Sequence, residues 1–160
     1  MKALRFLLLL IVFSLVPVQA DNHAKPVDTP AQRQERLFRY IADRSKHYGF
    51  KLKMVHRLIQ VESRWDPKAC SPEEAIGLMQ VQVPTAREIM NDARIDKSSL
   101  RDPFLNVDCG LRYLSWLRDQ FHGNMKLALV SYNRGIGRVL SDIEAGRDPH
   151  NGYAMNVMGR

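Results

Sequence analysis

The 160 residues lack the spacings on which most catalytic chemistries depend. No serine stands in a GxSxG elbow, and Ser63 has no histidine and aspartate set to go with it, so serine-hydrolase chemistry is unsupported. The five histidines form no HExxH or other ligand spacing, which argues against a metal site. The run Gly135-Ile136-Gly137 is too short for a dinucleotide fingerprint and follows no strand signal. Without a dense Lys/Arg run and interleaved aromatics, nucleic acid is a weak partner. Heptads, internal repeats and alternating strand patterns are also missing, leaving an all-α domain with no cofactor.

The longest apolar run sits at the start. In MKALRFLLLLIVFSLVPVQA, Lys2 and Arg5 precede an apolar core from Phe6 to Val16, and Val18-Gln19-Ala20 suits a cleavage site. Residues 1–20 therefore read as an export signal, too short for a membrane span. No cysteine follows the apolar core, so a lipid anchor is not expected. Removing the signal lowers the formal charge from +7 by two, a modest basic excess. Residues 21–34 read as a polar, flexible lead-in and 35–160 as the working domain. Export also favours a Cys70–Cys109 disulfide, with two buried free thiols as the alternative. In the chain-entropy view, a loop of roughly 40 residues would contribute about 4 kcal/mol.

The mature chain reads as a series of helices. Leu37, Phe38, Tyr40 and Ile41 mark one over about 33–47, ending near Gly49. Residues 66–83, punctuated by Pro67, Pro72 and Gly77, look irregular or β-like, and a short helix follows from Pro84 to about Arg94. Asp102 and Pro103 open a long helix carrying Phe104, Val107, Leu111, Leu114, Leu117 and Phe121. Asn124 caps the next, and a last helix covers about Arg138 to Ala145. Trp65 and Trp116 are expected in the core rather than as sugar platforms.

One residue breaks the pattern. In LKMVHRLIQVESRW, Leu52, Val55, Leu58 and Ile59 recur at helical steps, and the next position on that face is Glu62. A carboxyl on an apolar stripe loses hydration, which raises its pKa. It is then either a helix-end glutamate turned to solvent or paired with Arg64 or Lys68, or a general acid held protonated near neutral pH.

Four short motifs then appear in order: Glu62-Ser63, Gly77-Leu78-Met79-Gln80, Tyr132-Asn133-Arg134-Gly135, and the late Tyr153. With ESRWDPKACSPEEAIGLMQV and DPFLNVDCGLRYLSWL around them, the chain resembles the soluble-lytic-transglycosylase (SLT) family of lysozyme-like peptidoglycan-cleaving enzymes. The resemblance covers roughly residues 35–156. It implies a lysozyme-like helical fold with Glu62 as the single acid/base. Ser63, Met79, Gln80, Tyr132, Asn133 and Tyr153 would surround the acid and the sugar. Three positions depart from the family pattern. Ser131 takes a small-residue place, Glu74 stands where glycine is common, and Pro84 is displaced from the glutamine.

In that family the bond between N-acetylmuramic acid and N-acetylglucosamine is opened without water, leaving 1,6-anhydromuramyl ends. The resemblance thus implies a monomeric periplasmic enzyme acting on peptidoglycan strands. Its small size resembles members that serve secretion, conjugation or pilus machines. Two alternatives stay open: a hydrolytic muramidase using Glu73 or Glu74 as second carboxylate, and a catalytically silent glycan-binding or assembly module.

Overall fold

The computed structural model of the protein describes residues 28–159, so the expected export signal lies outside the described residues. Seven α-helices follow one another: α1 (Pro30–His47), α2 (Leu52–Ser63), α3 (Val83–Met90), α4 (Pro103–Gln120), α5 (Met125–Arg134), α6 (Ile136–Glu144) and α7 (Tyr153–Met158). A 3-10 turn, Ser99–Arg101, precedes α4. Among the described residues there is no strand, only isolated antiparallel bridges, Cys70 to Ile76 and Ile76 to Val81, in the segment expected to be irregular or β-like.

The helix starts follow local chemistry. Thr29 accepts from the Gln32 N–H at 3.3 Å while the Gln32 side chain accepts from the Thr29 N–H at 2.8 Å, with Pro30 preset for the first turn. This reciprocal cap extends α1 back to Pro30, into what the sequence suggested was lead-in. Asp102 accepts from the N–H groups of Phe104 and Leu105, both at 2.9 Å, and Asn124 caps α5 through Lys126 and Leu127. α7 was not anticipated. It has six residues, too few to display a helical period.

α4 is the central helix, packed against α1, α3 and α5. Val107, Cys109, Leu111, Leu114 and Leu117 are fully buried along it. α7 crosses back to lie on α2 and α5, which joins the end of the domain to the helix that carries Glu62.

One expectation fails and another holds only in part. Cys70 and Cys109 are both free: Cys109 is fully buried on the α4 core face, whereas Cys70 is exposed in the bridged loop. The face of α4 that fills the core turns the Cys109 thiol inward, away from solvent. The expectation for the tryptophans holds only in part, since Trp65 is partly buried against the core but Trp116 is not a core residue. Trp116 is exposed on the flank of α4 and stacks on Tyr113 with ring centroids 6.0 Å apart. Trp65 is half-buried in a groove of about 810 Å³ with Phe38 and Leu78. Arg64 and Trp65 both take left-handed backbone conformations, φ +53° and +69°, which ends α2 abruptly and turns the indole aside.

Candidate active site

Glu62 lies in the last turn of α2, on the side of the fully buried Val55, Leu58 and Ile59. Burial pushes its carboxyl pKa up, and a hydrogen bond from Tyr153 opposes that only in part. The Tyr153 hydroxyl donates to Glu62 Oε1. Glu62 Oε2 has no partner among the described residues, so it is the oxygen left to meet a ligand.

Two tyrosines frame the acid. Tyr153 is the first residue of α7 and is buried; burial and then the neighbouring Glu62 charge hold its phenol well above the usual range. Tyr132 of α5 is shifted the same way by the same causes. Both phenols are therefore neutral donors over the whole physiological range. Tyr132 donates to the Met79 carbonyl at 2.7 Å, and the Tyr113 ring lies 5.4 Å from its own.

The Gly77–Gln80 turn forms the opposite wall, and a fully buried asparagine sets its shape. Asn106 Nδ2 donates to the carbonyls of Ile76 (2.8 Å) and Leu100 (3.0 Å), while its Oδ1 accepts from the Met79 N–H (2.8 Å). Gly77 has φ +79°, and a Cβ there would lie 2.4 Å from Asn106 Nδ2, so only glycine fits. Gln80, at φ +49°, donates through Nε2 to the carbonyls of Gly77 (3.0 Å) and Ala69 (3.3 Å).

These elements enclose a groove of about 680 Å³. Of the residues singled out in the sequence, Glu62, Gln80, Tyr132 and Asn133 line it. Ser63, Met79 and Tyr153 stand behind the lining. The Ser63 hydroxyl donates to the Leu78 carbonyl at 2.8 Å and ties α2 to the turn. The Met79 side chain is fully buried against Gly110, where an added Cβ would come within 2.6 Å of its sulfur. Asn133 Oδ1 accepts from Asn151 Nδ2 at 2.9 Å. Thr85, Tyr113 and Arg138 also line the groove and carried no sequence signal, being ordinary residues on helix surfaces. Glu73 lines it too, whereas Glu74 forms an ion pair with Lys97 outside it.

The chain is similar in sequence and fold to known proteins. The sequence profile of the transglycosylase SLT domain matches residues 39–152. A membrane-bound lytic murein transglycosylase C of Haemophilus ducreyi is 34% identical over 149 residues, covering 86% of this chain and 39% of that protein. One from Yersinia pestis is 34% identical over 142 residues, covering 81% and 38%. The chain thus spans about two fifths of the length of these relatives. Among solved structures, an inactive glutamate-to-glutamine mutant of the lytic transglycosylase Slt from Pseudomonas aeruginosa superposes with a TM-score of 0.66 at 28% identity, over 75% of this chain and 22% of that one. The 70-kDa soluble lytic transglycosylase of Escherichia coli gives 0.62 at 27% identity, over 78% and 22%. With a half-buried glutamate at the end of α2, an all-α frame around it and the profile spanning both, the chain belongs to the transglycosylase SLT domain family.

Proposed function

We propose that this protein cleaves the β-1,4 bond between N-acetylmuramic acid and N-acetylglucosamine in peptidoglycan, without water, to give 1,6-anhydromuramyl ends. The observation that carries the reading is Glu62. It is a carboxyl with a raised pKa in the wall of a groove, with one oxygen held by Tyr153 and the other free.

Protonated Glu62 gives its proton to the leaving oxygen as the glycosidic bond breaks and positive character builds at the muramyl anomeric carbon. The acetamido oxygen of the same sugar stabilises that carbon. Glu62, now ionised, takes the proton of the muramyl C6 hydroxyl, whose oxygen bonds to the anomeric carbon. The proton count closes on Glu62, and no water is consumed. An internal nucleophile has a high effective concentration, so the open groove suffices. Tyr153 acts on both halves of the cycle, orienting the carboxyl and stabilising it once it is ionised. Gln80 and Asn133 offer amide groups to the sugar, and the Tyr113 and Tyr132 rings offer apolar faces.

The site of action would be the periplasm, reached through residues 1–20 as an export signal. No helix among the described residues is long and apolar enough to cross a membrane. Service to a secretion, conjugation or pilus machine, as a monomer, is part of the same proposal.

The test is mass spectrometry of peptidoglycan fragments released by the protein and by Glu62→Gln. Anhydromuramyl ends from the wild type are expected, with turnover reduced about a thousandfold in the mutant. Reducing muramyl ends would instead indicate a hydrolase with Glu73 as its second carboxylate. Fragments from Glu62→Gln at the wild-type rate would remove Glu62 from the chemistry.

A further inference from the structure

The groove of about 810 Å³ beside Trp65 shares no lining residue with the one that holds Glu62. Its floor is apolar, built from Leu37, Phe38, Trp65 and Leu78. Phe38 is 40% exposed there. The Trp65 indole is fixed between Phe38 and His56, with each ring centroid 5.2 Å from its own. Holding it there takes left-handed backbone at both Arg64 and Trp65, which costs free energy in residues other than glycine and persists only where the surroundings impose it. The aromatic floor is thus set before any ligand arrives, which lowers the ordering cost of binding.

The rim carries one sign of charge. Arg33, Lys68 and Arg101 line the groove, and no aspartate or glutamate does. All three cations are exposed, and none has an ion-pair or side-chain hydrogen-bond partner among the described residues. They stand on α1, on the loop after α2 and on the 3-10 turn before α4. The carboxylates nearest to them in sequence are already engaged. Asp66 accepts from the Lys68 N–H at 2.8 Å, and Asp102 caps α4.

A flat bilayer is met by apolar side chains that project, and here they lie in a hollow. A concave apolar floor with unpaired cations on separate elements around it matches a polypeptide segment that has anchors on one face and carboxylates beside them.

We propose that this groove docks an acidic amphipathic segment of a partner protein. Its apolar side chains seat on Phe38, Trp65 and Leu78, and its carboxylates pair with Arg33, Lys68 and Arg101. Since the two grooves share no residue, the partner holds the protein in place with its candidate active site open. The inference goes beyond the cleavage reading and does not depend on it.

The experiment selects random phage-displayed peptides on the mature protein and remeasures the enriched ones as fluorescent synthetic peptides by anisotropy. The enriched sequences should combine apolar anchors with a net negative charge, and added salt should weaken their binding. The triple variant Arg33→Glu/Lys68→Glu/Arg101→Glu should raise their Kd about tenfold or more while melting like the wild type, since all three positions are exposed. Phe38→Ser should weaken binding by a similar factor. A saturating peptide should leave the rate of peptidoglycan cleavage unchanged. No enriched peptide, peptides without carboxylates, or equal binding by the triple variant would overturn the docking site. So would a peptide that inhibits cleavage, which would sit in the Glu62 groove. Enrichment only on a form lacking residues 21–27 would give the groove to the chain's own lead-in. Binding to phosphatidylglycerol vesicles but to no peptide would give it to a membrane. Absence of peptidoglycan cleavage would end the activity reading and leave this inference standing.

Discussion

The Tyr153 hydroxyl donates to the Glu62 carboxyl across 91 residues of sequence, and this contact joins the last helix of the domain to the second. α7 packs on α2 and α5, and those are the helices that carry Glu62 and Tyr132. One short helix thereby closes the acid off from water on its inner side and supplies its only protein hydrogen bond among the described residues. Burial and hydrogen bonding pull the carboxyl in opposite directions, and burial wins.

That balance has a stability consequence whose sign is determined. An acid whose pKa is raised on folding binds its proton more tightly in the native state. Stability is then highest below the unfolded pKa, about 4.5, and falls as the pH rises toward the folded value. Glu62→Gln removes the ionisable group and keeps an acceptor for Tyr153. We expect the Tm of Glu62→Gln, relative to wild type, to be higher at pH 7 than at pH 4. Thermal melts of the two proteins at both pH values check this. A relative Tm that does not change with pH would mean that Glu62 is not held against its charge.

Asn106 is expected to be the residue on which the groove wall depends. Asn106→Ala leaves the Met79 N–H and the Leu100 carbonyl unpaired in a dry interior, while the Ile76 carbonyl keeps the Val81 N–H. At about 1 kcal/mol or more for each of these two groups, the loss is roughly 2 kcal/mol. A Tm decrease of at least about 4 °C is expected, together with a fall in kcat/KM as the turn carrying Gln80 loosens. Unchanged melting would show that water replaces the asparagine without cost.

The free cysteines predict asymmetric thiol chemistry. Burial pushes the Cys109 thiol up to about 11, whereas Cys70 is exposed. A maleimide should label one thiol in the native protein, Cys70, and both in denaturant, and a reducing agent should leave the Tm unchanged. Two unreactive thiols with a Tm lowered by reductant would mean that the bond forms.

The helices, their caps and the acid were written locally. The stripe of Val55, Leu58 and Ile59 and the starts at Asp102 and Asn124 follow from residues within a turn of one another, since caps and periodicity are short-range effects. Glu62 stood out because a carboxyl on such a stripe contradicts its neighbours. α1 was legible but begun too late, because the Thr29–Gln32 box that starts it lies ahead of the apolar pattern.

Only the tertiary structure decided what each motif residue does. Ser63 and Met79, adjacent in the motifs to Glu62 and Gln80, are turned away from the groove to tie and fill the core. Tyr113, Thr85 and Arg138 reach the groove because α3, α4 and α6 converge there, and nothing in their local sequence marks that. The disulfide inference failed for a related reason. Compartment says whether a bond can survive, but the direction of each side chain, set by the packing of α4, says whether two sulfurs meet. Periodicity places a residue on one face of its own helix. Which faces then meet is settled by long-range packing, and the candidate site is built from those meetings.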